Sequence, residues 1–283
     1  MKTLATIKKD MEFNRGLSSL IEVLKNIAVS QYHALEQKIR SFEKFLLTAE
    51  SFFDFIDFTK VNHPFLNPQE KPLGVVAVTS DSGLLGGLNM QVVTVAISEL
   101  EKMPGKLIVV GERGKSYARE SNIPFVAFSG IKDEERYSQA MQLRDYLAGK
   151  VLEGSLGALK VVYPKPVSFT VQHVETVSFL PFSPSLQKQP QAMKQELSEI
   201  ILESDLGDIV EYLVYQWIGQ KLYEIFGLSR LSEFAARYVH LEESSQKLKE
   251  MDNKLRLQYF RIRHELIDRN MRELFSARLL YAS

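Results

Sequence analysis

Three groups of residues in this chain could do chemistry. The first is the run Thr79-Ser80-Asp81-Ser82-Gly83-Leu84-Leu85-Gly86-Gly87-Leu88-Asn89, which directly follows a β-branched stretch. A glycine-rich turn between strand and helix can offer backbone N–H groups to a phosphate. This run lacks the Lys-Ser/Thr pair that ends a P-loop, and its glycines do not fit the dinucleotide spacing. The plainer reading is a tight turn that seats the next helix on the sheet. Asp81, Gly83, Gly86, Gly87 and Asn89 are then structural residues, and no cofactor is expected.

The second group is histidine and carboxylate. His33, His63, His173, His240 and His264 never pair at metal-ligand spacing on one helix, so no metal site is expected. Glu242-Glu243 and Asp133-Glu134-Glu135 read as a charged helix face and a helix start rather than as catalytic pairs. No catalytic residue is expected. The third group is a cationic run in which Arg256, Arg261, Arg263, Arg269, Arg272 and Arg278 outnumber Glu265, Asp268 and Glu273. Forked guanidinium groups such as those of Arg263 and Arg269 suit the carboxylates of a partner. They equally suit a solvated helix flank laced by i,i+4 pairs, Glu265 with Arg269 and Arg269 with Glu273. The residues alone leave both readings open.

The elements that must carry these groups follow from hydrophobic period. Met1 to about Phe58 is helical, with Leu4, Ile7, Met11, Leu17, Leu20, Ile21, Leu24, Ile27 and Ala28 at steps of three and four. Gly16 weakens it by about 1 kcal/mol relative to Ala. Gly207 to Leu280 is a second long helix, with Leu241, Leu248, Met251, Leu255, Tyr259, Ile262, Leu266 and Leu274 among its apolar positions. At ~1.5 Å per residue it spans on the order of 100 Å. A helix that long needs a partner, because propensity alone stabilises it little. An antiparallel coiled coil of the two terminal helices supplies one.

Between them the period changes. Leu73–Thr79, Lys106–Gly111, Phe125–Phe128, Leu159–Tyr163 and Glu175–Leu180 read as strands, and Leu88–Lys102, Glu112–Ser121 and Glu134–Glu153 as helices. This alternation predicts a Rossmann-like α/β domain with a mostly parallel sheet. Three segments follow: a coiled-coil helix over 1–70, the α/β domain over 71–190, and a coiled-coil helix over 191–283 that pairs with 1–58. Pro181, Pro184 and Pro190 mark the return to the second helix.

Composition narrows the class. Lys plus Arg and Asp plus Glu each number 35 in 283 residues, so the net charge is zero. A general nucleic-acid binder needs a basic excess, so none is expected as a partner. Cysteine is absent, which removes disulfides, thiolate metal sites and thiol nucleophiles. No apolar run reaches the 18 residues of a membrane span. The start Met1-Lys2-Thr3-Leu4-Ala5-Thr6-Ile7-Lys8-Lys9-Asp10 lacks a signal-peptide core, and a bacterial cytoplasmic location is expected.

Three stretches resemble the gamma subunit of F-type ATP synthases, the central rotor stalk. One is Leu4-Ala5-Thr6-Ile7-Lys8-Lys9 through Ile27-Ala28-Val29-Ser30. The second, Thr79 to Asn89, is similar to the family's T-S-D-R-G-L-C-G-G-x-N, with Ser82 and Leu85 where the family has Arg and Cys. The third, Ser232-Glu233-Phe234-Ala235-Ala236-Arg237 through Tyr259-Phe260-Arg261-Ile262-Arg263-His264, resembles S-E-x-A-A-R-M and then Y-N-K-A-R-Q. Leu20 to Ala28 departs from the family's I-T-K-A-M-x-M-V-A. His264 and Ile267-Asp268 stand where it has Gln and Ile-Thr.

The resemblance implies one copy of the chain per complex, with the helix pair inside a ring of three alpha and three beta subunits. Arg263, His264, Asp268 and Arg269 would meet the beta catch loops, and Leu274, Phe275, Leu279 and Leu280 would turn in an apolar bearing. The α/β domain would face the epsilon subunit and the membrane c-ring. Proton or sodium movement through that ring would drive rotation and so ATP synthesis, or hydrolysis would drive it in reverse. The complex would lie on the cytoplasmic face of the inner membrane, and all catalytic residues would lie in other subunits. Two other classes remain open: a coiled-coil adaptor or assembly factor, and an enzyme whose glycine loop holds a nucleotide.

Overall fold

The computed structural model describes residues 3–50, 61–67, 71–183 and 205–281, with side chains as far as 39 in the first stretch and 278 in the last. Residues 51–58 of the expected first helix, and Pro184 and Pro190, lie outside the described residues. The chain forms two compact units, Met1–Val29 with Tyr238–Ser283, and Ser30–Arg237. Helices α1 (Leu4–Glu50) and α5 (Leu206–Tyr281) contribute to both.

The first unit is an antiparallel helix pair. On α1 the row Ile7, Asn14, Ile21 and Ala28 is buried at seven-residue spacing. On α5 the inward residues are Leu241, Ser245, Leu248, Asp252, Leu255, Tyr259 and Ile262, at alternating steps of four and three. That narrow stripe is a coiled-coil seam. Lys25 meets Glu242, Glu22 meets Ser245, and the Ile7–Asn14 segment lies beside Met251–Glu265, so the chains run in opposite directions. The seam differs in detail from the apolar pattern. Leu20, Ile27, Met251 and Leu266 are 54%, 47%, 51% and 41% exposed, while Ser245 and Asp252 take inward positions. A step of four after Leu248 reaches Asp252, not Met251, so seam geometry overrides hydrophobicity there.

The second unit is a three-layer α/β domain. Its strands are β1 (Leu73–Val78), β2 (Gly105–Val110), β3 (Phe125–Phe128), β4 (Leu159–Pro166) and β5 (Gln172–Leu180), in the order β3-β2-β1-β4-β5. The first four are parallel and β5 pairs antiparallel with β4. β5 begins at Gln172, three residues before the expected Glu175, because a hairpin closes it on β4: Val167 N–H donates to Val171 O at 2.9 Å.

The core explains the composition of the strands. Val75, Ala77, Leu107 and Val109 face α2 (Leu88–Lys102) and α3 (Glu112–Glu120). Their neighbours Val76, Val78, Ile108 and Val110 face the other way, toward α4 (Arg136–Leu152) and the α5 residues Val210, Val214, Ile218, Leu222 and Phe226. Strands buried on both faces read as continuous apolar runs. Nearer the end of this unit, Tyr32 and Leu35 of α1 pack on Leu231, Phe234 and Ala235 of α5.

Candidate functional site

The glycine-rich loop is closed by its own side chains. Ser80 N–H donates to Asn89 Oδ1 at 3.1 Å, and Asn89 Nδ2 donates to Ser80 Oγ at 2.8 Å. Ser80 Oγ in turn donates to Ser82 O at 2.8 Å. The three residues Thr79–Asp81 then cap helix α3. Glu112 N–H donates to Asp81 Oδ1 at 2.9 Å, Arg113 N–H to Ser80 O at 3.0 Å, and Gly114 N–H to Thr79 Oγ1 at 3.0 Å. These are orphan donors of a first helical turn. An anion at α3 would have to displace oxygens the protein already supplies.

The expected turn residues have different local roles. Gly86 has φ 63, which favours glycine, while Gly87 is the N-cap of α2 with φ −122. Leu84 also adopts φ 63 and is half exposed. A Cβ on Gly83 would lie 2.9 Å from Arg113 NH2. Two further glycines complete the fit and carry no periodic signal in the sequence. A Cβ on Gly114 would approach Thr79 Oγ1 to 2.3 Å, and one on Gly130 would approach Asp81 Oδ1 to 2.1 Å.

A buried charge cluster on α5 was not singled out by spacing. Glu233 is 3% exposed and accepts from Arg230 NH1 at 2.6 Å. Arg230 also donates from Nε to Asp133 Oδ1 at 3.1 Å and stacks 4.7 Å from the Phe234 ring. Burial pushes the Glu233 carboxyl up to about 7, against the opposing pull of Arg230 and Arg237. Asp133, read from sequence as part of a helix start, serves here as the second acceptor for Arg230.

The cationic run lies on the α5 surface. From Arg263 to Arg278 every side chain is exposed. Arg269 Nε donates to Glu273 Oε1 at 2.9 Å, one of the two i,i+4 pairs the sequence suggests. The side chains of Arg263 and His264 have no hydrogen-bond or ion-pair partner among the described residues, and Asp268 accepts from the Arg272 side chain only through its backbone oxygen. Leu274 and Phe275 are 67% and 61% exposed. The side chains of Leu279 and Leu280 lie outside the described residues.

Buried instead on the helix pair is Lys25, 9% exposed. Its Nζ lies 2.5 Å from Glu242 Oε2 on α5 and 3.1 Å from Glu22 Oε1 on its own helix. The hydrogen bond it donates to Glu242 raises its pKa, against desolvation. Among the described residues no group of three or more His, Cys, Asp or Glu is placed to hold a metal ion. No described helix is long and apolar enough to cross a membrane.

Comparison with known proteins places this arrangement. A family model described as ATP synthase matches residues 3–278. The ATP synthase gamma chain of Desulforudis audaxviator is 27% identical over 228 residues, 76% of each chain. That of Desulfitobacterium hafniense is 23% identical over 282 residues, 97% of each chain. Among solved structures, a rotor chain of the Euglena gracilis mitochondrial ATP synthase superposes with TM-score 0.67 at 17% identity, covering 93% of this chain and 98% of that one. A chain from the central stalk and c-ring of the Tetrahymena thermophila mitochondrial ATP synthase gives TM-score 0.61 at 18% identity, covering 80% and 99%. The solved structures carry the fold, and the family match over nearly the whole length carries the assignment: this chain belongs to the ATP synthase gamma-chain family.

Proposed function

We propose that this chain is the central rotor stalk of an ATP synthase, coupling ion flow through a membrane c-ring to ATP synthesis or hydrolysis in an alpha/beta hexamer. The observation that carries the reading is the family match over residues 3–278. The Euglena relatives come from structures described as a rotor and as an assembly of OSCP, F1 and c-ring, which supports the same partners here. One copy would serve each complex, with epsilon at the α/β domain. The complex would sit at the cytoplasmic face of a bacterial inner membrane. The chain would supply no catalytic residue of its own.

In this reading the functional division is a coiled coil from segments 1–70 and 191–283 and an α/β domain over 71–190. The Thr79–Asn89 loop is a structural corner of that domain, because its polar groups cap α3 and hold α2. Arg263, His264, Asp268 and Arg269 meet the catch loops of the beta subunits. Supporting this, all four side chains are exposed, and three of them have no side-chain partner among the described residues. Leu274, Phe275, Leu279 and Leu280 form the apolar bearing. Exposed apolar surface of the kind seen at Leu274 and Phe275 is costly in water and suits an apolar collar.

The test is co-expression with the alpha and beta subunits of its own operon, followed by native mass and ATPase assay. One copy in a hexamer with cooperative ATPase is the expected result. A chain that stays outside the hexamer would instead support an adaptor or assembly role.

A further inference from the structure

Two helices that share a torque must not slide past one another. Twisting a two-stranded coil shears its seam along the axis, and apolar contacts resist shear weakly because they are non-directional. Hydrogen-bonded ion pairs are directional and weaken as distance and angle depart from their optimum. The seam of this helix pair contains such a pair at Lys25. The lysine lies between the buried residues Ile21 and Ala28 and is itself 9% exposed. Its Nζ reaches Glu242 Oε2 of α5 at 2.5 Å, and both oxygens of Glu22 at 3.1 and 3.2 Å. It also lies 5.8 Å from the centre of the Tyr238 ring. Glu22 extends the network back across the seam, accepting from the buried Ser245 Oγ at 3.4 Å. The α5 contacts thus stand at 238, 242 and 245, one helical turn to either side of the ion pair.

A lysine in an apolar seam is expensive to desolvate, and an apolar residue of similar volume would often stabilise the fold as well or better. Its placement therefore calls for a role other than stability. We infer that the Lys25–Glu22–Glu242–Ser245 network is a shear key that locks α1 to α5 and makes the pair transmit torque as one body. The inference rests on the rotor reading and names residues that serve it. Lys25 is a positioning residue and touches no reactant.

The experiment uses the assembled membrane complex and compares ion pumping per ATP hydrolysed. Lys25→Met should leave hexamer assembly intact and ATP hydrolysis within about twofold of wild type, while pumping per ATP falls to about half or less. The swapped pair Lys25→Glu with Glu242→Lys should recover pumping. So should a covalent replacement: Glu22→Cys and Ser245→Cys in the Lys25→Met background, bridged by dibromobimane. The natural chain has no cysteine, so within this chain the bridge can join only these two positions. Unchanged pumping in Lys25→Met overturns the shear key. Lost pumping that the bridge does not restore overturns it too, because the lysine then acts on something other than helix sliding. Failure of the wild-type chain to join the hexamer overturns the rotor reading itself and this inference with it.

Discussion

Glu233 is the most deeply buried carboxylate among the described residues. Its carboxyl is buried beside Arg230 and Arg237 and titrates near 7, above the ordinary carboxylate range. The sign follows from proton linkage: the folded state holds this proton more tightly than the unfolded one. The group's contribution to stability is therefore fully present below the ordinary carboxylate pKa and is lost as pH rises through about 7. Thermal melts between pH 4.5 and 8.5 should show the midpoint falling as pH rises to about 7 and levelling above it. Glu233→Gln, neutral at every pH, should flatten that dependence. A midpoint that falls equally in the variant would place the titrating group elsewhere. Arg263 and Arg269 mark the opposite extreme, with both side chains exposed. Charge reversal at both should leave helix content unchanged by circular dichroism while lowering coupled ion pumping in the assembled complex. Unchanged pumping would remove these residues from the partner contact.

At the scale of elements, the loop after β1 does the work of a cap for α3 and a clasp for α2. Asn89→Ala leaves Ser80 N–H buried without its acceptor, a loss of roughly 1–3 kcal/mol. Urea denaturation of the full chain measures it. A loss under about 0.5 kcal/mol would mean that the clasp is redundant. The entry to β2 is as tightly constrained. A Cβ on Gly105 would stand 1.9 Å from Leu73 O across the parallel β1–β2 pair. Gly105→Ala should thus cost roughly 1–3 kcal/mol through forced separation of the strands, read in the same assay.

At the scale of the molecule, the last part of α5 has helix without seam. Past Ile262 every side chain to residue 278 is exposed, and residues 266–281 extend about 24 Å at 1.5 Å per residue. Removing residues 267–283 should leave the thermal midpoint of the isolated chain nearly unchanged, because the described side chains of this segment, 267–278, are all exposed. It should also reduce self-association on size exclusion, since Ile267, Met271, Leu274 and Phe275 are 46–67% exposed. A large fall in midpoint would show that the segment packs on the rest.

What the sequence by itself determined was local or was a matter of pattern. Periods of about 3.6 and runs of β-branched residues located every described strand and helix within a few residues. The Thr79–Asn89 and Ser232–Arg237 runs pointed to the family that the match over residues 3–278 then showed. Tertiary structure alone decided which rows of those helices meet. Met251 looked like seam and is outside it, while Ser245, Asp252 and Lys25 are inside, because register between segments two hundred residues apart is set by packing of whole faces. The same holds for Glu233 and Arg230, whose charge is ordinary in a sequence and unusual only once burial removes the water around it. It holds also for Gly114 and Gly130, which matter because Thr79 and Asp81 fold against them. Hydrophobic period is a property of neighbours along the chain. Burial, capping and ion pairing are properties of neighbours in space.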